Sequence, residues 1–355
     1  MRIHNLKDKV ILSLFIVLLI TLLGGCSEQS TSKDNDTSDE SSQEGKPVDL
    51  LIPTMEPGTL PYVSSETLTP YFKEVLPEGS QIQRTPTSTG DISGIYLLKE
   101  NQGDLYMVSD LPALWVWEGK PYPNIDGEYQ GFRKLLQMDS YAGMGFLVSK
   151  DFAEKHNIET VDDLFEKDVK ISLATYPSGS SSVIMFEQIL MGYGFENLEE
   201  FRSQGHTVLQ GGPQDLVKYM RDRQANVHFG LIVGHNFPPV EEMMTSVDLN
   251  LLPYGEEKMK QIQEEYQFPS FTVPKDSYKG IEEDTIILGL GNYVIVREDM
   301  PDDVAYQLTK AMYENWEEIR EKDPFFSITP LHFRESVVPF HTGAEKYLKE
   351  VGALE

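Results

Sequence analysis

The chain has 355 residues and carries 57 Asp and Glu against 30 Lys and Arg, a formal net charge of −27 at pH 7. Its 40% hydrophobic and 10% aromatic content is that of a globular protein; it excludes collagen-like, coiled-coil and wholly disordered chains, and the length suggests two domains. So acidic a chain repels a polyanion, and its basic clusters, Arg221-Asp222-Arg223 and Lys258-Met259-Lys260, are short and read as solvated helix faces, so nucleic acid is not an expected partner. A single cysteine rules out an intrachain disulfide and a multi-cysteine metal site.

The first elements lie at the amino terminus. Arg2, Lys7 and Lys9 precede a mostly apolar run over residues 10–23, which ends in Gly24, Gly25 and Cys26. That run is shorter than the about 20 residues that span a bilayer and reads as the apolar region of an export signal. Small residues directly before the only cysteine resemble the lipobox of bacterial lipoproteins. This implies that Cys26 is acylated, with palmitate as an expected chain, and becomes the first mature residue. The protein is then expected outside the cytoplasm, anchored to the cell membrane by its lipid. Residues 27–46 hold almost nothing but Ser, Thr, Asp, Glu, Asn, Gln, Lys and Gly; such a segment cannot offset its ordering entropy and reads as a flexible acidic tether. Most of the negative charge nevertheless belongs to residues 47–355.

From residue 47 onward strand and helix patterns alternate, the signature of α/β layers. Strands are predicted over 48–52, 81–87 and 104–108, with helices over 65–76 and 92–100 between them. A second unit of the same kind begins near Met144, with strands over 145–148, 169–174 and 227–233 and helices over 161–166, 183–190 and 216–223. Thr160 and Asp162 mark the start of the first of these helices. The last third returns to a strand over 285–296 and a helix over 302–321, with Pro301, Asp302 and Asp303 at its start and Pro324 beyond its end. Gly289-Leu290-Gly291 inside the strand reads as a bulge or a close backbone approach. Trp115-Val116-Trp117 places both indoles on one face of a strand, or apart on a helix, and reads as core.

Residues 178–182, Ser-Gly-Ser-Ser-Ser, are the most suggestive feature. A Ser/Gly loop after a strand and before a helix offers hydroxyls and free N–H groups to an anion such as a carboxylate; the same residues also serve as a helix cap. Glu56, Asp91 and Asp110 fall at predicted strand ends, where they could meet an amino group. The nucleophile-elbow, zinc-protease, phosphate-loop and dinucleotide motifs are all missing from the sequence. The histidines have no metal-ligand spacing, and His332 with Glu335 reads as a local contact. No cofactor or metal is expected.

The terminal segment Pro339-Phe340-His341-Thr342-Gly343-Ala344-Glu345-Lys346-Tyr347-Leu348-Lys349-Glu350-Val351-Gly352 resembles the Pro-x-His-x-Gly-Ala-x-x-Tyr-x-x-Glu-x-Gly ending of the TAXI family, the solute receptors of TRAP (tripartite ATP-independent periplasmic) transporters. Residues 273–280 are similar to the family's Ile-Pro-x-x-x-Tyr-x-Gly, and residues 293–304 to its Leu-Val-x-Arg-x-Asp strand-to-helix passage. The resemblance extends over about residues 85–355. It implies an α/β fold of the two-lobed type II periplasmic-binding-protein class with a ligand cleft between lobes: residues 47–143 with 266–355 as lobe I, and 144–265 as lobe II. Thr54, Glu56, Tyr62, Thr87, Thr89 and Asp91 would face the cleft from one lobe, and Ser178, Gly179, Ser180, Ser181, Gly234 and His235 from the other. The implied ligand is a small organic carboxylate or an amino acid such as glutamate, delivered to integral membrane permease subunits without catalysis. A ligand-sensing lipoprotein that serves a sensor kinase is an alternative, as is a lipid-anchored enzyme using His235 or His341 as general base.

Overall fold

The computed structural model describes residues 46–120, 125–234, 237–266, 268–326 and 336–354. The expected export signal, Cys26 and the tether as far as Gly45 lie outside the described residues, as do His235, His332 and Glu335. In chain order the elements are β1 (Asp49–Pro53), α1 (Leu60–Val75), β2 (Gln81–Thr85), α2 (Asp91–Lys99), β3 (Leu105–Ser109) and α3 (Asp110–Glu118), then the long β4 (Phe132–Ser149) with α4 (Lys150–His156) and α5 (Val161–Glu166). There follow β5 (Ser172–Thr175), α6 (Ser181–Gly192), α7 (Leu198–Ser203), β6 (Thr207–Gln210), α8 (Pro213–Arg221), β7 (Val227–Val233), α9 (Pro238–Ser246), β8 (Leu249–Leu252) and α10 (Glu256–Tyr266). The chain closes with β9 (Ser270–Val273), β10 (Thr285–Arg297), α11 (Asp302–Glu314), α12 (Trp316–Lys322) and α13 (Thr342–Glu350).

Local chemistry explains most of these boundaries. The Thr160 hydroxyl accepts the Asp163 N–H while the Asp163 carboxylate accepts the Thr160 N–H, a reciprocal cap that starts α5. Helix α6 begins where the Ser180 hydroxyl accepts the Val183 N–H. The single helix expected over 302–321 is broken at Asn315, whose side-chain amide bonds back to the Ala311 carbonyl at 2.9 Å and so competes with the helical ladder. Trp115 and Trp117 lie on helix α3, not on a strand. Gly119, in the left-handed region at φ 63°, ends that helix. The Trp117 ring meets Phe132 edge-on at 5.3 Å.

A two-stranded parallel sheet, β1 with β2, stands beside an eight-stranded sheet of order β3-β10-β4-β7-β5-β6, with β8 added to β4 and β9 to β10. Strands β4 and β10 pair antiparallel along most of their length, and the register breaks between Leu290 and Asn292: the ladder leaves Leu290 opposite Ala142 and resumes with Asn292 opposite Met138. The break falls opposite the Gly-Leu-Gly run, but the extra residues are on β4, where the four steps from Ala142 to Met138 face two of β10. Gly291 has no room for a side chain there, since a Cβ would lie 2.6 Å from the Asp110 carboxylate. Strand β3 ends level with the break from one side, Ser109 opposite Asn292. Strand β7 ends level with it from the other, Val233 opposite Ala142.

On one side of the break the core gathers around Phe146, whose ring lies 4.5 Å from Phe229 and 6.1 Å from Phe186. On the other, the terminal segment docks on β4: the Lys134 N–H donates to the Pro339 carbonyl at 2.9 Å and the His341 N–H to the Lys134 carbonyl at 2.8 Å. His341 then starts α13, its Nδ1 accepting the Gly343 N–H. Gly343 is required because a Cβ would meet the Asp302 carbonyl at 2.0 Å, which lets α13 close on α11.

Asp323 follows α12 as its cap and is fully buried, with Oδ1 accepting the Phe325 N–H at 2.9 Å. Burial pushes its carboxyl up to about 6. A carboxyl raised in the folded state holds its proton more tightly there than in the unfolded chain. Its contribution is therefore complete below about pH 4 and lost as pH rises through about 6. The stability of wild type relative to Asp323→Asn is expected to fall by about 2–3 kcal/mol between those limits, as read from urea unfolding at each pH. A difference that does not change with pH would show that the carboxyl is not raised.

Candidate functional site

In α/β sheets the loops beyond the carboxyl ends of strands collect the groups left free by the ladders, and ligand sites form there. Here the ends of β1, β3, β5 and β7 point at one place, the gap left by the break in the β4–β10 ladder. The loop after β1 is tied to the loop after β2: the Thr54 N–H donates to Thr85 O at 2.7 Å and the Ser88 N–H to Thr54 O at 3.0 Å. Beneath them the Ser88 hydroxyl bonds to Gly90 O at 2.7 Å and lies 3.2 Å from the Tyr106 hydroxyl. The Ser93 hydroxyl accepts the N–H groups of Thr89 and Gly90, both at 3.0 Å, and so caps α2.

The loop of Gly90 and Asp91 touches the loop before α6. A Cβ on Gly90 would lie 3.1 Å from the Gly179 carbonyl, a distance that glycine alone keeps comfortable. Asp91 is 5% exposed and its Oδ2 accepts the Ser181 N–H at 3.1 Å; the side chains of Ser181 and Ser109 lie near enough to favour its charged form. Burial pushes this carboxyl up to about 6 against the pull of those hydrogen bonds. The start of α6, the expected seat of an anion, is thus occupied by a carboxylate of the chain itself. Glu56, an exposed residue, lies beside the start of α8. A Cβ on Gly212, the residue before that helix, would lie 2.2 Å from Glu56 Oε2, and burial with the nearby Asp215 raises the Glu56 carboxyl.

Between these loops lies a cavity of about 50 Å³. Asp91, Ser109, Ser180, Ser181 and Ser182 give it a polar wall; Met55, Leu60, Met144, Tyr176, Leu231 and Phe237 give it an apolar one. A larger, open groove of about 680 Å³ runs outside it, bordered by Thr87, Thr89, Gly90, Ser93, Tyr96, Asp126, Ser178 and Gly179. Tyr176 is held from below by Gln210, whose Nε2 donates to Tyr176 O at 3.1 Å and to the Ser178 hydroxyl at 3.3 Å. His228 is buried behind Tyr176; its Nδ1 donates to Ala174 O at 3.0 Å, and burial depresses its pKa to about 4, so the ring is neutral.

Of the residues expected to face a cleft, Asp91, Ser180 and Ser181 line the inner cavity, and Thr87, Thr89, Ser178 and Gly179 line the outer groove. Thr54 is buried in the loop between them, and Glu56 covers α8. Tyr62 lies on α1 with Arg84 over its ring at 5.7 Å, and Gly234 packs toward Phe271 and Pro274; neither borders the cavity. His341, a candidate base in the enzyme alternative, spends its Nδ1 on the cap of α13. Met144, Tyr176, Leu231 and Phe237 escaped sequence reasoning because an apolar residue at a strand end reads as core. Among the described residues no group of three or more His, Cys, Asp and Glu could hold a metal ion.

Two substitutions test this framework. Gly94 is in α2, where alanine would ordinarily stabilise by up to about 1 kcal/mol, but its Cβ would lie 2.0 Å from the Tyr106 ring. Gly94→Ala is expected to destabilise by about 1–3 kcal/mol, because the ring that supports Ser88 has to move. Ser180→Ala should cost about 1 kcal/mol through the lost cap. Urea unfolding checks both, and a stabilising Gly94→Ala would contradict the packing described.

The whole arrangement has known counterparts. A periplasmic transporter structure matches with a TM-score of 0.52 at 12% identity, over 87% of this chain and 93% of that one. MatC from Rhodopseudomonas palustris, solved with bound malate, matches with a TM-score of 0.53 at 10% identity, over 86% and 97% of the two chains. The periplasmic binding protein BugD matches with a TM-score of 0.51 at 14% identity, over 79% and 86%. These likenesses show the fold, the α/β two-lobed type II architecture of periplasmic binding proteins that the sequence led us to expect. The model of the NMT1-like family matches residues 54–352, nearly the entire described chain, and the protein belongs to that family.

Proposed function

We propose that the protein is an extracytoplasmic solute-binding receptor, held to the membrane by a lipid on Cys26, that takes a small organic acid or amino acid between its lobes and delivers it to integral membrane permease subunits. The observation that carries this reading is the convergence of strand ends from both halves of the sheet on one small, partly polar cavity. The terminal-segment resemblance to TAXI receptors supports a TRAP-type partner. The malate bound by MatC supports a ligand of similar size. Residues 47–143 with 266–355 form one lobe and 144–265 the other, with β4 as the strand that passes between them. A ligand closes the lobes by hinge motion absorbed in the crossing segments.

A thermal-shift screen of the full chain over carboxylates, amino acids and amines tests the reading. A true ligand at 100 times its dissociation constant stabilises by about 2.7 kcal/mol, and as a receptor ligand it is recovered unchanged. Turnover of the stabilising compound, or no stabilisation across the screen, would overturn the proposal. The Ser180→Ala/Ser181→Ala double variant is expected to weaken that ligand at least ten-fold in a calorimetric titration; unaltered affinity would remove both serines from the site.

A further inference from the structure

The inner cavity has a charge pattern that narrows the ligand. An anion receptor presents free N–H groups or cationic side chains to its site. Here the Ser181 N–H at the start of α6 already donates to Asp91, and Glu56 covers the start of α8. Among the described residues no lysine or arginine borders the cavity. Among the described residues Asp91 forms no salt bridge; its Oδ2 accepts the Ser181 N–H, and the Ser181 and Ser109 side chains lie nearby, all dipoles that leave its charge uncompensated. A carboxylate that is 5% exposed without a counter-ion is costly to keep, and an arriving cation removes that cost. The field of Glu56 has the same sign and reaches Tyr176 on the cavity wall.

The other walls fit the same guest. Ser182 donates its hydroxyl proton toward Met144 Sδ at 3.5 Å, which leaves the oxygen lone pairs free to accept from an N–H. Ser109 borders the cavity on the Asp91 side. Opposite them Met55, Leu231 and Phe237 suit a short hydrocarbon and offer it no hydrogen bond. We propose that this cavity recognises a small protonated amine with an apolar body, its ammonium group set on the Asp91 carboxylate, and that it requires no carboxylate on the ligand. This rests on the receptor reading above and replaces its organic acid with an amine as the ligand class.

The test is a calorimetric titration of the full chain at neutral pH with three probes of one shape: n-propylamine, propionate and 1-propanol. The amine is expected to bind at least ten-fold more tightly than either other probe. Asp91→Asn keeps the shape and an oxygen for the Ser181 N–H, and it should weaken the amine at least ten-fold while leaving 1-propanol unchanged. Propionate binding as tightly as the amine, or an amine affinity unaltered in Asp91→Asn, would overturn the proposal. If the variant does not fold, the ranking of the three probes on wild type decides alone. Carboxylates that bind while amines do not would sink this inference and leave the receptor reading standing; no binding by any compound in the wider screen would sink both.

Discussion

The break in the β4–β10 ladder is the constraint from which the rest of the site follows. Two long antiparallel strands carry backbone hydrogen bonds through both halves of the sheet, and where their register slips, between Leu290 and Asn292, neither neighbour continues. Strand β3 stops on one side and β7 on the other. Helices that follow strands pointing at a common gap direct their N-termini toward it, and the first N–H groups of a helix have no partner within it. Each such end has to be satisfied by a side chain, by water or by a guest. Ser93 serves α2, Ser180 serves α6 internally, and Asp91 reaches across to the Ser181 N–H. The cavity is what remains once these obligations are met.

Those features of the fold that depend on a few neighbouring residues were legible in the sequence. Strand β7 and helix α5 fall where their apolar runs and caps place them, and the close approach expected at Gly289-Leu290-Gly291 is there, at Gly291 against Asp110. The first half of β4 was not legible, because Arg133, Lys134 and Gln137 interrupt its apolar pattern. Lys134 is nonetheless 2% exposed, its ammonium bonded to Gln137 Oε1 at 2.8 Å and set 4.3 Å from the Phe340 ring. A buried lysine supported by an aromatic ring from the far end of the chain has no local signature. The terminal segment shows the converse: His341 and Gly343 stood out as a pattern before their physical reason, a cap and a close helix contact, was visible.

The site divides in the same way. The Ser-Gly-Ser-Ser-Ser loop announced a helix start that could hold an anion, and the structure puts a carboxylate there. What sequence could not give is whose carboxylate it is, since Asp91 and Ser181 stand 90 residues apart and only the folded sheet brings them together. Met144 and Phe237 were hidden for another reason: an apolar residue that faces a cavity and one that faces the core obey the same periodicity.

Among the described residues most carboxylates of this acidic chain sit in solvent, several in helical pairs such as Asp163 with Lys167, Glu318 with Lys322 and Glu345 with Lys349, where each pair is worth little. Of the three buried ones among the described residues, Asp91, Asp110 and Asp323, Asp91 and Asp323 are pushed up to about 6 by burial, and their surroundings separate their roles. Asp323 closes a helix end in a fully packed place; Asp91 joins two loops at the edge of a cavity. A net charge of −27 adds a long-range field that concentrates cations near the surface and disfavours anions. In solution an anionic guest would approach against that field and then meet a buried carboxylate at the place where it needs a donor. For a cation both effects have the favourable sign, so the charge of the whole chain and the geometry of the inner cavity point to the same kind of ligand.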